Sequence, residues 1–144
     1  MGEMKNIKDT FLLLLLIYLG KNVHGRTRFQ KTVCLLKHTY KIPFHFKFRS
    51  YYYGPYSDDL ADTLSLLQGL NLITEEIEDF GEGMIRYTYK LTDKGAKIVN
   101  SFISKTGNKK IVLRMRKYLA EIQRMPTSEL IILSKKIDLS TKES

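Results

Sequence analysis

The stretch at residues 51–95 restricts the fold more than any other part of the 144-residue chain. Within it, Ser57 is typical of a helix N-cap, because its hydroxyl can accept a free backbone amide of the first turn. The leucines that follow at helical spacing predict one buried stripe, formed by Leu60, Leu64, Leu67 and Leu70. Gly69 and Asn71 predict the end of this helix. We therefore expect a turn followed by a short helix.

A β-hairpin is predicted directly after this helix. Gly81 and Gly83 flank its tip, and glycine permits the positive φ angles that a tight turn needs. The second strand shows strict alternation of apolar and polar residues, with Ile85, Tyr87, Tyr89 and Leu91 on the apolar face. Thr92 can then cap another helix. Helix, hairpin and helix in this order are the layout of a winged helix-turn-helix domain.

The rest of the chain extends this prediction. An apolar run at residues 11–19, capped by Asp9 or Thr10, predicts a wholly buried first helix. A second helix, capped by Thr27, is predicted to bury Phe29 and to expose Lys31. A third strand is expected where aromatic and basic residues alternate, at Phe44, Phe46 and Phe48.

The predicted fold class is α+β, a winged helix-turn-helix. It has three N-terminal helices, a three-stranded sheet with its wing, and C-terminal helices after them. We predict the winged-helix domain at residues 1–106 and C-terminal helices at 107–137, which pack on that domain or form a dimer arm. A polar tail is expected at 138–144.

A 4-3-4 apolar spacing marks the fifth predicted helix, at residues 109–124. The residues of this seam are Ile111, Met115, Tyr118 and Ile122. Such spacing is typical of helix pairing. We expect it to form the interface of a homodimer with two-fold symmetry. The alternative is that the seam packs on the first helix of the same chain.

Three segments of the chain resemble a known family. They read GRTRFQKTVCLLKHTY at residues 25–40, YYYGPYSDDLADTLSLLQGLNLI at 51–73 and YKLTDKG at 89–95. Together they are similar to the YwgA-like winged-helix proteins of bacteria and archaea, and more distantly to the SocA-like antitoxin domains. The Tyr-Gly-Pro-Tyr-Ser turn is the most specific of these features. The resemblance implies the winged-helix fold, and it brings no catalytic motif.

Charge is distributed unevenly along the chain, whose formal net charge is +9. Residues 1–50 hold ten Lys and Arg against two Asp and Glu, and residues 84–144 hold fourteen against five. Between them, residues 51–83 hold eight acidic residues and no Lys or Arg. A strongly basic chain favours polyanionic partners such as nucleic acid. The acidic block, however, includes the third helix, which enters the major groove in the usual docking of this fold.

The first functional hypothesis is a DNA-binding protein, expected to be a dimeric transcriptional regulator. It would contact the phosphates of double-stranded DNA through basic faces outside the acidic third helix. The candidate contacts lie at the start of the second helix, on the wing and on the fifth helix. They are Arg26, Arg28, Lys31, Arg86, Lys90, Lys109, Lys110, Arg114 and Lys117.

The alternative hypothesis is a protein–protein interaction module, such as an adaptor or an antitoxin. Its partner would bind the acidic third helix at Asp58, Asp59 and Asp62. The winged-helix fold is compatible with both functions. The tyrosines before this helix, Tyr51, Tyr52, Tyr53 and Tyr56, allow a stacking platform for unpaired bases. Packing in the core and turn is the favoured interpretation of these four.

Other functional classes have little support in the sequence. No nucleophile, base and orienting residue are evident together, so we expect no enzyme and no cofactor. Cys34 and the three histidines lack the spacing of a metal site, and a buried inert thiol is expected. The apolar run at residues 11–19 is far shorter than the roughly 20 residues that cross a bilayer. We therefore expect a cytoplasmic protein with no membrane partner.

Overall fold

The computed structural model describes residues 2–21 and 23–139, over which the chain forms six α-helices and a three-stranded antiparallel sheet. This confirms the predicted α+β class. Of the tail predicted at 138–144, only residues 138 and 139 lie in the described part. The elements are α1 (Gly2–Gly20), β1 (Val23–His24), α2 (Arg26–His38), α3 (Asp58–Gly69), β2 (Ile73–Asp79), β3 (Ile85–Leu91), α4 (Asp93–Ser104), α5 (Lys109–Gln123) and α6 (Thr127–Lys135), with a 3₁₀ turn (Thr106–Asn108) between α4 and α5.

Helix α1 is the centre of the core. Residues 12–17 are each 3% exposed or less, because α4, α5 and β3 all pack against this helix. The rings of Phe11 and Phe102 stack at 5.8 Å between α1 and α4. A helix that is apolar on every face must be surrounded in this way. Its start differs from the prediction, since α1 begins at Gly2 and Asp9 lies inside it.

The apolar seam of α5 is buried within the chain. Met115 and Ile122 are fully buried, and α5 packs against α1. Tyr118 stacks on Tyr40 with ring centroids 4.5 Å apart, and Ile111 is half-buried at the edge of the core. The expectation that this seam is left exposed for a second copy is therefore wrong. Packing within the chain already buries Met115 and Ile122, which removes the reason for predicting a homodimer through α5.

The third strand of the sheet is not the predicted one. The strand order is β1-β3-β2, and β1 pairs with β3 through Val23 opposite Tyr89 and His24 opposite Thr88. The segment with Phe44, Phe46 and Phe48 lies outside the sheet, although each ring is only 3% exposed. Alternation of apolar and polar residues indicates which side chains are buried, but it does not show that the segment pairs with another strand. Here the three phenylalanine side chains are buried in the core although their backbone belongs to no strand of the sheet.

The turn before α3 is tied to α2 by buried polar side chains. Gln30 hydrogen-bonds both the N–H and the C=O of Ser57, and Lys31 donates to the carbonyl of Pro55. The Ser57 hydroxyl accepts from the amide of Leu60 at 3.1 Å, which confirms the predicted cap. Gly54 has a φ of 96° and faces α6 closely, since a Cβ there would lie 3.1 Å from Ser134 Oγ. The start of α3 is thus held between α2 and α6.

Candidate nucleic-acid interface

Unpaired positive charge is concentrated on α4, α5 and the turn between them. Residues 93–124 include nine Lys and Arg against two acidic residues, Asp93 and Glu121. Among the described residues, none of these nine takes part in an ion pair. Eight of them are exposed, and we call these eight the α4–α5 basic surface: Lys94, Lys97, Lys105, Lys109, Lys110, Arg116, Lys117 and Arg124.

Two of these lysines occupy an unfavourable position for helix stability. Lys109 and Lys110 lie in the first turn of α5, which has no acidic residue. Asn108 precedes them without a capping side-chain bond, because its amide nitrogen donates to the carbonyl of Phe102. A cation at the positive end of the helix dipole costs about 0.3–1 kcal/mol. Helix stability therefore does not explain these lysines.

Three predicted contact residues meet around one cleft at the start of α2. Arg26, Arg28 and Arg86 line this space of about 310 Å³, together with His24 and Thr127. We call it the arginine cleft. Helix α2 begins after Gly25 with neither a capping side chain nor an acidic residue in its first turn. The positive end of the helix dipole therefore adds to the positive potential of the three guanidinium groups.

The arginines of this cleft differ in how they are held. Arg28 donates to the carbonyl of Ile122 at 3.1 Å and to Thr127 Oγ1 at 3.2 Å, which are both neutral acceptors, and burial lowers its pKa. Arg86 pairs with Glu78 at 3.1 Å, while its buried Nε has no hydrogen-bond partner among the described residues. Arg28 thus brings a charge to the cleft that pairs with no carboxylate among the described residues.

Arg26 belongs to a network that is already satisfied. Its guanidinium makes two hydrogen bonds to Glu75, at 2.8 and 3.0 Å, and lies 3.8 Å from the centroid of Tyr87. Hydrogen bonds and charge attraction raise the pKa of Arg26, and the bond from Arg26 lowers the pKa of Glu75. Burial raises the pKa of Tyr89, which also interacts with Glu75. A phosphate at Arg26 has to compete with this carboxylate.

Lys31 does not lie on a surface, contrary to the prediction. Its side chain is 2% exposed, and Nζ donates to the carbonyl of Pro55 at 2.6 Å. Burial lowers the pKa of this ammonium. The face of α2 that was predicted to be exposed is covered by the turn at residues 54–57 and by α6. Lys31 is therefore unavailable to a phosphate in this structure.

Two further candidates act within the chain. Lys90 pairs with Glu76 across the hairpin at 2.9 Å. Arg114 is half-buried and donates to the carbonyls of Tyr40 and Lys41, each at 3.0 Å, which ties α5 to the segment after α2. Lys109, Lys110 and Lys117 remain exposed as predicted. Sequence reasoning missed Lys94, Lys97, Lys105, Arg116 and Arg124, although the count of charges after residue 84 could have indicated them.

The outer face of α3 is acidic at its start and apolar at its end. Asp58 pairs with Arg49 at 2.8 Å, and Asp62 has no ion pair among the described residues. Leu66 and Leu70 are 56% and 49% exposed, so Leu70 does not join the buried stripe predicted for it. Exposed carboxylates repel phosphates, and leucines cannot read base edges by hydrogen bonding. This face is poorly suited to DNA.

The described residues offer neither a metal site nor a membrane span. Within them, no set of three or more His, Cys, Asp or Glu side chains is placed to hold a metal ion. The helices seen in that part of the chain are each too short or too polar to span a bilayer.

Part of the chain is similar to a known protein. No family model matches the chain. A Bacillus subtilis (strain 168) protein named "Uncharacterized protein YwgA" is 35% identical over 72 residues. The match covers 50% of this chain and 42% of that protein, so less than half of the relative's length is matched. This supports the YwgA-like resemblance for half of the chain.

Proposed function

We propose that this protein is a winged-helix DNA-binding protein that acts in transcription regulation in the cytoplasm. It holds duplex DNA mainly through phosphate contacts of the α4–α5 basic surface, with the arginine cleft as a second contact. The observation that carries the proposal is the exposed and unpaired charge of the α4–α5 basic surface. The winged-helix assignment is supported by the order α1-β1-α2-α3-β2-β3 and by the strand order β1-β3-β2.

The contrast with the rest of the chain favours a polyanionic partner. Elsewhere four described basic side chains pair with carboxylates: Arg26, Arg49, Arg86 and Lys90. Those of the α4–α5 basic surface form no such pair among the described residues, and two of them lie where they cost stability. Phosphate contacts neutralise such charges and release condensed counterions. The acidic α3 is then expected to lie away from the phosphates.

A gel-shift series on random-sequence duplex DNA at several salt concentrations tests the proposal. Lys109→Gln with Lys110→Gln removes two positive charges from the α4–α5 basic surface. The control, Lys135→Gln with Lys136→Gln, removes two exposed lysines at the end of α6. We expect the first pair to flatten the slope of log affinity against log salt by about 2, since each phosphate contact contributes about 0.9. The control should leave the slope nearly unchanged.

Two results contradict this proposal. If both lysine pairs weaken binding equally, net charge alone attracts the DNA and the α4–α5 basic surface has no special role. If the wild type retards no DNA at low salt, DNA binding is rejected.

A second candidate function is a protein-interaction module, adaptor- or antitoxin-like, that binds its partner through α3. The exposure of Leu66 and Leu70 beside Asp59 and Asp62 favours it, because protein interfaces combine apolar centres with polar rims. Asp59→Lys with Asp62→Lys reverses the charge of this face and leaves the Arg49–Asp58 pair intact. We expect it to release a co-purified partner and to leave DNA retardation unchanged or stronger.

A further inference from the structure

The turn before α3 exposes three consecutive tyrosines. Tyr51, Tyr52 and Tyr53 are 50%, 84% and 64% exposed, so the favoured interpretation that they pack in the core and turn is wrong. We call these three residues the tyrosine turn. Tyrosine is enriched at the energetic centres of protein interfaces, because its large rigid ring also carries a hydroxyl. An exposed run of this kind therefore needs an explanation beyond stability.

The base of the tyrosine turn is anchored by hydrogen bonds. Gln30 and Lys31 of α2 fix Ser57 and Pro55. Arg49 and Tyr56 exchange two backbone hydrogen bonds of 2.8 Å across the base of the turn. A surface fixed in this way loses little conformational entropy when a partner binds. Gln30 and Lys31 thus anchor the base of a turn whose three tyrosine rings are exposed to solvent.

The neighbouring charged groups indicate which kind of side chain this surface can bind. The guanidinium of Arg49 lies 4.8 Å from the centroid of Tyr51 and 5.5 Å from that of Tyr56. It also makes two hydrogen bonds to Asp58, at 2.8 and 3.2 Å. Arg49 therefore already contacts two tyrosine rings and one carboxylate at this surface. Asp59 and Asp62 extend the negative charge along α3.

We infer that the tyrosine turn and the first turn of α3 form a docking surface for a basic segment of a partner protein. Arginine and lysine side chains of that segment lie on the exposed rings and pair with Asp59 and Asp62, as Arg49 does with Tyr51 and Asp58. A single-stranded nucleic acid fits less well, because stacked bases need cations along their backbone and three carboxylates lie here instead. This inference rests on the second candidate function and specifies that its partner is basic. It depends on no residue of the α4–α5 basic surface.

Fluorescence anisotropy with a labelled peptide of alternating arginine and glycine tests the surface. Tyr52→Ala with Tyr53→Ala removes the two most exposed rings, and Tyr18→Ala, on α1 and 40% exposed, is the matched control. We expect the double variant to weaken peptide binding about tenfold or more, as hot-spot truncations do, and the control to change it by less than about twofold. Asp59→Asn with Asp62→Asn should also weaken it. Denaturation midpoints check that every variant is folded.

Several outcomes overturn this inference. One is a wild type that does not bind the peptide, or a Tyr52→Ala, Tyr53→Ala variant that binds it equally well. Binding of an oligothymidylate that depends on these tyrosines assigns the turn to nucleic acid. Self-association in sedimentation that the double variant abolishes assigns it to a second copy of the chain. Because the variants keep Lys109 and Lys110, a gel shift on duplex DNA separates a failure of this surface from a failure of DNA binding.

Discussion

Gln30 and Ser57 exchange two hydrogen bonds between α2 and the start of α3. The side-chain oxygen of Gln30 accepts from the backbone N–H of Ser57 at 2.8 Å, and its Nε2 donates to the Ser57 carbonyl at 3.0 Å. Gln30 is 5% exposed and Ser57 is fully buried. The glutamine amide thus pairs with the backbone as a neighbouring strand would. This places the tyrosine turn and the N-terminus of α3.

Gln30→Leu should lower the free energy of unfolding by about 1–3 kcal/mol. It leaves the buried N–H of Ser57 without a partner, and the Ser57 carbonyl keeps only the bond from the Ala61 N–H at 3.3 Å. The desolvation penalty of the unpaired N–H is not recovered. Urea denaturation measures the change. Gln68→Leu is the matched control, since this half-buried side chain has no hydrogen bond among the described residues; we expect a change within about 0.5 kcal/mol. Equal losses in both variants contradict the prediction.

Lys31 should make stability increase with pH. Burial lowers its pKa in the folded protein below the value of 10.5 expected for an unfolded lysine. Between these two values the unfolded chain binds more protons, so the unfolding free energy rises as pH rises. The stability of the wild type relative to Lys31→Met should therefore increase as the pH rises towards 10.5. A flat difference for Lys31→Met contradicts the prediction.

Gly95→Ala should destabilise the protein by about 3 kcal/mol, the upper range for overpacking. A Cβ at this position would collide with the backbone carbonyl oxygen of Leu72, which cannot move away because Thr92 N–H donates to it. Gly69→Ala is the control, since a Cβ there meets open space and alanine favours helix by up to about 1 kcal/mol. Thermal unfolding should show a lower melting temperature for Gly95→Ala than for the wild type, and a higher one for Gly69→Ala. Similar melting temperatures for both would show that α4 moves away from Leu72.

Lys109→Gln with Lys110→Gln should stabilise the fold by about 0.5 kcal/mol, because it removes cations from the positive end of the α5 dipole. Lys135→Gln with Lys136→Gln should have the opposite sign, since these lysines lie at the negative end of α6. Denaturation at low salt measures both. If the α5 variant is more stable but binds DNA more weakly, the weaker binding cannot result from unfolding. If both double variants change the free energy of unfolding in the same direction, the helix dipoles do not explain the changes.

The sequence alone determined the local structure around α3 and the hairpin. Ser57 and Thr92 cap their helices as predicted, each accepting a backbone amide three residues later. Gly81 and Gly83 have φ angles of 86° and 78° at the hairpin tip. These features depend on hydrogen bonds and dihedral angles within four residues along the chain. Neighbouring residues therefore suffice to predict them.

Only the tertiary structure decided which of the predicted surfaces are free. Lys31 is buried because the 54–57 turn, more than 20 residues later, covers its side of α2. Met115 is buried because α1, about 100 residues earlier, packs on α5. Tyr52 is exposed because α2 anchors the turn through Lys31 and Gln30, which leaves the rings outside. A periodic pattern states that one face of an element is apolar, but burial depends on distant segments that the pattern does not contain.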